Sequence, residues 1–510
     1  MMGHAAELLS DLGRAHYVLL FGSDPELGHW GQPGMAYAQQ LQHSRKTKKT
    51  KVITVSSCRG PFSERIDQHI GILPGSEPFV LLGMLRTICD RGWEDWQFVR
   101  DYVTGFQEMV QALEPWTLEL CAKRAGLDKA VLSGLALKFS RSAMAVAHPG
   151  VGAFNNAHAA LGAWAYMALH AVTANLLRPG GVYENRGAFD LYPFTKALSS
   201  AGAPKVDSGP AALLMQRPFT SLHDMSTSAL LAFGEPPPIP QKEELIAKLR
   251  NMELVVVGSD SPSWLCDEAD WILPISTSWS RSERQVHTNT ALPCYALPYG
   301  PALMEPAGDS RTAAFVLRKL IEMIRPGFHR NGWGIHLQAF GRFLNRSAIP
   351  DLIERTIRFM VSEEISPTPS VWFSGETDRS LWRPKDDRID FRIDIVRDLL
   401  SQPVENSDKT GLCLRTSALT RRGKRLCSDG SVVIKLHPEA GYQDGDSIRV
   451  STDFGEISGQ VSLDENLQVN TVDIPFCEFP EVLSLLPKKS CSLTGAPVYD
   501  GVDCLIGRAV

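Results

Sequence analysis

The sequence has no uninterrupted apolar run of about eighteen residues, the length a membrane-spanning helix needs. It also lacks the basic, then apolar, then small-residue order of a signal peptide, because Glu7 and Asp11 precede the first apolar stretch. Both absences predict a cytoplasmic chain without a direct membrane span, unless it is exported with a partner. Clustered cysteines are missing as well. Cys58, Cys89, Cys121, Cys266, Cys294, Cys413, Cys427, Cys477, Cys491 and Cys504 are scattered, and no two form a C-x-x-C pair. Iron–sulfur clusters and structural zinc need thiolates brought together, usually from close positions, so none is expected on this chain. Nor is there an excess of positive charge. The net charge of -5 gives no general reason to bind nucleic acid, and the local run of Arg45, Lys46, Lys48, Lys49 and Lys51 reads as a solvated loop without a role.

What is present points to a large α/β protein. At 510 residues the chain exceeds one hydrophobic core, so several domains are expected. Tyr17 to Phe21 (YVLLF) and Lys51 to Val55 (KVITV) read as apolar strands of a parallel sheet covered on both faces, with a crossover helix over Gly34 to Gln42 between them. Helices are predicted over Glu77 to Ile88, Trp93 to Gly105, Phe106 to Leu113, Trp116 to Ala125 and Asp128 to Phe139. A strand in AMAVAHP leads through a glycine-containing loop to a buried helix over Ala159 to Leu176, stopped by Pro179-Gly180-Gly181.

A second α/β unit follows, with a helix over Gln241 to Asn251, a strand at Leu254 to Val257 and another at Asp270 to Pro274. The phrase LLFGSDP at the first strand end returns as VVVGSDSP at this one. Ligands of open α/β sheets gather beyond the carboxyl ends of strands, where small residues let backbone amides approach a phosphate. The tail, with turn signals at Asp444-Gly445-Asp446 and Asp453-Phe454-Gly455, reads as a small β-barrel. The expected architecture is therefore two interleaved doubly wound nucleotide-binding-like domains followed by a C-terminal β-barrel. The first spans 1–150 and resumes after 300, the second spans 151–361, 362–410 is a linker, and the barrel occupies 411–510.

Taken in order, GSDPELGH, ILPGSEPFVLLGMLRTI, GVGAFNNAHAALGAWAYMALHAVTANLLRPGG, ELVVVGSDSPSWLCDEADWILPISTSWSRSE and HPEAGYQDGDSIRVSTDFGEISGQV resemble the molybdopterin oxidoreductase family. The resemblance implies bis-molybdopterin guanine dinucleotide carrying molybdenum or tungsten, and a small-molecule redox substrate. It implies cofactor-binding roles for Gly22, Ser23, Asp24, Gly75, Ser76, Glu77, Gly150, Gly152, Gly180, Gly181, Ser259 and Asp260. The two GSD phrases would then be matching strand ends, one for each half of the paired cofactor.

Several positions depart from the family pattern. Asp24 stands for the usual Asn, Glu77 for Asp, Ser56-Ser57 for Asp-Pro, and Gly234-Glu235-Pro236 for Gly-Asn-Pro. Near a pyrophosphate, Asp24 and Glu235 are each expected to cost a hydrogen bond and add repulsion. The family's cluster domain and metal ligand lie upstream of the Gly-Ser-Asn-Pro strand, whereas sixteen residues precede Tyr17 here and none is Cys. No metal ligand is assigned on this chain: Ser10 and Asp11 read as helix-end or surface residues, and His158 and His170 as satisfied helix histidines.

Two functions follow. One is a subunit of a molybdenum or tungsten oxidoreductase that binds the pterins, while a cysteine-rich electron-transfer subunit supplies the metal ligand and cluster. The other is a cofactor-free structural subunit of an electron-transfer complex, resembling the related domain in the large peripheral subunit of respiratory complex I. A truncated, inactive product is a third reading. The chain alone is expected to perform no metal-dependent redox catalysis.

Overall fold

The computed structural model describes residues 8–26, 37–184, 228–234, 239–281, 283–284, 299–324, 389–391, 397, 399–400, 412–417, 432–476, 479–488 and 498–508. The first elements are β1 (Leu8–Ser10), β2 (Tyr17–Phe21), α1 (Tyr37–Lys48), β3 (Lys51–Ser56) and β4 (Gln68–Gly71). Then come α2 (Glu77–Arg91), α3 (Trp96–Tyr102), β5 (Val103–Thr104), α4 (Phe106–Ala112), α5 (Leu118–Ala125) and α6 (Lys129–Arg141). β6 (Ala145–Pro149), α7 (Ala159–Val172) and β7 (Val182–Glu184) complete this part.

Strands β4, β3, β2 and β6 form one parallel sheet in that order. All five residues of β2 are buried, which is why the segment carries no polar alternation: helices need to cover both faces of such a sheet. Helix α2 packs against α5, α6 and α7. It begins with Glu77-Pro78, a proline that costs no hydrogen bond in the first turn, and stops at Gly92 in the left-handed conformation.

Three boundaries differ from the sequence reading. Helix α1 runs on to Lys48, so Arg45, Lys46 and Lys48 occupy its last turn rather than a loop, where cations offset the helix dipole; Gly34 lies outside the described residues. Asp95 caps α3 by accepting from Phe98 N (3.0 Å), and the chain is already extended at β5. Helix α7 ends at Val172.

The second sheet orders β10 (Trp271–Pro274), β9 (Leu254–Ser259) and β8 (Ala229–Phe233), again all parallel. Its core of Ile239, Leu245, Leu249, Val255, Val257 and Leu265 takes side chains from α8 (Lys242–Leu249) and α9 (Trp264–Asp267). The short pair β11 (Glu283–Arg284) and β12 (Tyr299–Gly300) and helix α10 (Ala313–Ile324) follow.

Core membership cuts across the sequence-based boundaries. α7 belongs to the first core rather than to a unit beginning at 151. Strand β13 (Ile389–Asp390) pairs in parallel with β5, and Trp116 Nε1 donates to Leu400 O at 3.0 Å. Three residues of the expected linker thus join that core, because buried Ile389, Phe391 and Leu400 complete its apolar packing.

The tail forms a nearly closed seven-stranded sheet from β14 (Cys413–Arg415), β15 (Val433–Leu436), β16 (Ser447–Ser451), β17 (Glu456–Leu463), β18 (Thr471–Asp473), β19 (Val502–Asp503) and β20 (Leu505–Arg508). Its order is β19-β14-β18-β15-β17-β16-β20. Loops of this barrel sit on the first sheet: Gln468 N donates to Ser57 O (2.9 Å), and Arg59 N to Asn466 O (2.8 Å).

Candidate cofactor site

The parallel register puts the ends of β2 and β6 side by side, and seven of the twelve sequence-predicted positions meet there. Gly22 leaves β2 with φ +52°. A side chain on it would meet Ala153 N at 3.0 Å and Glu77 Oε1 at 3.2 Å. Gly150 N donates to Phe21 O (2.7 Å), and a Cβ at Gly150 would lie 2.3 Å from Gly22 O. Both positions need glycine because backbone meets backbone. Ser23, Gly75, Ser76, Glu77 and Gly152 complete the cluster at the amino end of α2. Ser76 Oγ donates to Leu73 O at 2.5 Å, and Gly75 approaches so closely that a Cβ there would meet Asp500 O at 2.8 Å.

Two polar atoms in this cluster are buried without a hydrogen-bond partner: Ser23 Oγ and Glu77 Oε2. The residues are 8% and 5% exposed, so water does not compensate them freely. Each orphaned group costs on the order of 1–3 kcal/mol. Burial pushes the Glu77 carboxyl up to about 8, opposed by its own backbone N–H, reinforced by Asp500 and opposed again by Arg415. At neutral pH Glu77 is therefore a protonated acid that can donate a hydrogen bond. This arrangement fits a buried, oxygen-rich ligand group, and it removes the repulsion expected of a carboxylate.

Asp24 is likewise not aimed at a ligand. Its Oδ1 accepts from Glu26 N (2.8 Å) and its Oδ2 from Phe62 N (3.0 Å), in the 3-10 helix Pro61–Arg65. The lost amide donor of an Asn is exchanged for a second acceptor that ties the strand end to the following loop. Glu235 lies outside the described residues.

Gly180 and Gly181 are not brought to this cluster. They sit at the opposite, amino end of the strands, where a Cβ on Gly180 would meet Met144 Cβ (2.7 Å) and Arg14 O (3.0 Å), and one on Gly181 would meet Asn175 O (2.0 Å). Asp11, read from sequence as a surface residue, is buried here. It accepts from Gly180 N (2.8 Å) and Arg14 Nε (2.7 Å), while Asp11 N donates to Gly181 O (2.9 Å). Ser10 is also buried and contacts His148 Nδ1 at 3.0 Å. Close backbone packing, rather than approach to a phosphate, accounts for this Pro-Gly-Gly turn.

Ser259 and Asp260 occupy the matching strand end of the second sheet. Ser259 Oγ donates to Ser261 O (2.6 Å), and Asp260 is exposed. His170 is held in one tautomer, with Nδ1 donating to Tyr166 O (2.7 Å) and Nε2 accepting from Ala147 N (3.0 Å); burial pushes it down to about 4, against the pull of the Tyr166 carbonyl. His158 packs on Phe79 with ring centroids 5.0 Å apart, and burial lowers its pKa.

Sequence reasoning missed the barrel's contribution. Tyr499 N and Asp500 N both donate to Asn155 O (2.9 and 3.1 Å), so the barrel closes on the loop after β6. Asp500 accepts from Thr416 N (3.0 Å), and burial pushes it up to about 6 against the opposing charge of Arg415. Burial disfavours the Arg415 cation, yet Asp473, 3.4 Å away, and other carboxyl groups hold it protonated. Among the described residues no group of three or more His, Cys, Asp or Glu side chains could hold a metal, and no helix is long and apolar enough to cross a membrane.

Two parallel α/β sheets with small residues at their strand ends, and a nearly closed barrel packed over one of them, define the class of fold. Residues 4–323 match the family described as Molybdopterin oxidoreductase, and the chain belongs to that family. It is 23% identical over 358 residues to the thiosulfate reductase molybdopterin-containing subunit PhsA of Salmonella typhimurium, covering 64% of this chain and 46% of that protein. It is 26% identical over 187 residues to YrhE of Bacillus subtilis, a protein named as a formate dehydrogenase, covering 36% of this chain and 19% of that one. The alignments thus span less than half of either relative. Acetylene hydratase from Pelobacter acetylenicus has the same fold, with a TM-score of 0.70 at 16% identity over 100% of this chain and 80% of that chain.

Proposed function

We propose that this chain binds bis-molybdopterin guanine dinucleotide, with molybdenum or tungsten, as one subunit of an oxidoreductase acting on a small molecule. The observation that carries the reading is the pair of orphaned atoms, Ser23 Oγ and Glu77 Oε2, buried at the strand end whose Gly-Ser-Asp-Pro phrase resembles the Gly-Ser-Asn-Pro strand end of the family. When bound, the group supplies two-electron redox chemistry at its metal. This chain's residues hold and orient it. The Ser23 hydroxyl and the protonated Glu77 carboxyl donate to oxygen acceptors. Gly22, Gly75, Ser76, Gly150 and Gly152 shape the floor, and Ser259 with Asp260 serves the second nucleotide.

In this proposal a cysteine-rich electron-transfer subunit supplies the metal ligand and iron–sulfur cluster, in the cytoplasm. Expression of residues 1–510 with and without such a partner, in a host that makes the cofactor, tests the division of labour. Metal content and turnover with artificial electron donors and acceptors should appear only with the partner. Stoichiometric metal with turnover from the chain alone contradicts the split.

One observation favours a second reading, a cofactor-free structural subunit of an electron-transfer complex. The barrel's own Asp500 carbonyl is packed so tightly on Gly75 that this side of the site is closed by protein. Absence of pterin with or without the partner would favour that reading.

A further inference from the structure

Five cations line a concave surface at the far end of the first sheet from Gly22. Arg45 and Lys46 come from the last turn of α1, Lys49 from the connection into β3, Lys51 from the start of β3, and Arg65 from the 3-10 helix before β4. With Asp67 they line an open, shallow cleft of about 860 Å³. The chain as a whole carries a net charge of -5, so this is a local reversal of sign. Asp67 is already committed: its Oδ2 accepts from Val52 N (2.9 Å), its Oδ1 pairs with Lys51 Nζ (3.0 Å), and Arg45 lies 3.7 Å away. Glu26 pairs with Arg65. Lys46 and Lys49 are exposed and have no carboxylate partner among the described residues. Lys49 also holds φ +54°, which turns the chain sharply from α1 into β3.

The chemistry of the lining selects among anions. Phosphates favour helix amino ends, where backbone N–H groups converge, whereas this cleft lies at the carboxyl end of α1, whose free groups are carbonyls. Among the described residues no aromatic side chain lines it, so bases find nothing to stack on there. Small-molecule sites are built mostly from hydrophobic and aromatic residues, whereas the residues lining this cleft are all polar or charged, their aliphatic stems supplying its apolar surface. Flexible lysines spread over a shallow basin suit several carboxylates presented together, attracted through long-range charge. We propose that the cleft framed by Arg45, Lys46, Lys49, Lys51 and Arg65 is a docking surface for an acidic polypeptide segment of a partner protein. It does not depend on whether the strand-end site binds a cofactor.

The test is fluorescence anisotropy of the full chain with a labelled oligoglutamate peptide, alongside a labelled single-stranded oligonucleotide and inorganic polyphosphate of matched charge. The peptide should bind at low ionic strength and weaken as salt rises. The exposed double variant Lys46→Glu/Lys49→Glu should weaken it by roughly tenfold or more while its melting temperature stays near that of the parent. Lys123→Glu/Lys138→Glu, on other helices, should leave it unchanged. No peptide binding at low salt, equal loss in both double variants, or tighter binding of the oligonucleotide or polyphosphate would each overturn the proposal. If Lys46→Glu/Lys49→Glu misfolds, Lys46→Ala/Lys49→Gly supplies the same comparison, with glycine accepting the left-handed conformation.

Discussion

Glu77 Oε1 lies 3.2 Å from where a side chain on Gly22 would begin, so the helix that opens at Glu77 and the strand that ends at Phe21 meet through a glycine. Gly22→Ala should therefore be destabilising on two counts, a left-handed φ of +52° and a 3.0 Å contact with Ala153 N. The expected loss is about 1–3 kcal/mol. A lower urea midpoint checks it, and an unchanged midpoint counts against the close approach.

The Glu77 carboxyl gives stability a pH dependence of definite sign. Its pKa is raised in the fold from 4.5 to about 8, so its contribution is fully present below about 4.5 and is lost as pH rises through about 8. Asp500 acts in the same direction but in a lower window, from 3.8 to about 6. Between pH 6.5 and 8.5, on the order of the Glu77 window alone, the melting temperature should fall for the parent and flatten in Glu77→Gln. Parallel curves for the two proteins would remove Glu77 from the account.

Asp24 should tolerate Asn better than Ala. Asn keeps one acceptor for the two amides that Asp24 serves, Glu26 N and Phe62 N, while Ala keeps none. Loss of a side-chain-to-backbone hydrogen bond of this kind costs about 0.5–3 kcal/mol. Denaturation of the three proteins at one pH checks the order Asp, then Asn, then Ala.

Asp11→Ala tests the separation of the two strand ends. It strands the buried Gly180 N–H and should cost about 1–3 kcal/mol while leaving any bound pterin per folded chain unchanged. A selective loss of pterin without a stability change would mean that the Gly180 turn serves the cofactor after all.

Much of the sheet was legible because its signals are local. YVLLF and KVITV declare buried parallel strands by their lack of polar alternation, and Glu77-Pro78 declares a helix start. What escaped was non-local. Asp11 and Gly180 are 169 residues apart, and Trp116 and Leu400 are 284 apart; neither pairing leaves a mark in its own neighbourhood. The basic run after Leu41 was misread because charge density marks a solvated face without saying whether that face is loop or helix. Gly181 shows the same limit: beside Gly180 it looks like a phosphate-loop residue, yet the close approach of Asn175 O by itself requires glycine there.

Burial also sets the charge state at the site. A side chain written as a carboxylate in the sequence becomes, at Glu77, a group that burial holds toward its neutral form, because desolvation outweighs the help of Arg415. The most direct test of the central claim is pterin guanine dinucleotide content per folded chain, measured by fluorescence after oxidation of the released pterin, for protein co-expressed with the proposed cysteine-rich partner. The parent and Glu77→Gln, which retains a donor, should carry the cofactor, whereas Ser23→Ala/Glu77→Leu should lose most of it while remaining folded. Equal pterin content in all three proteins, or none in the parent, would contradict the assignment of the Ser23 and Glu77 strand end as the cofactor site.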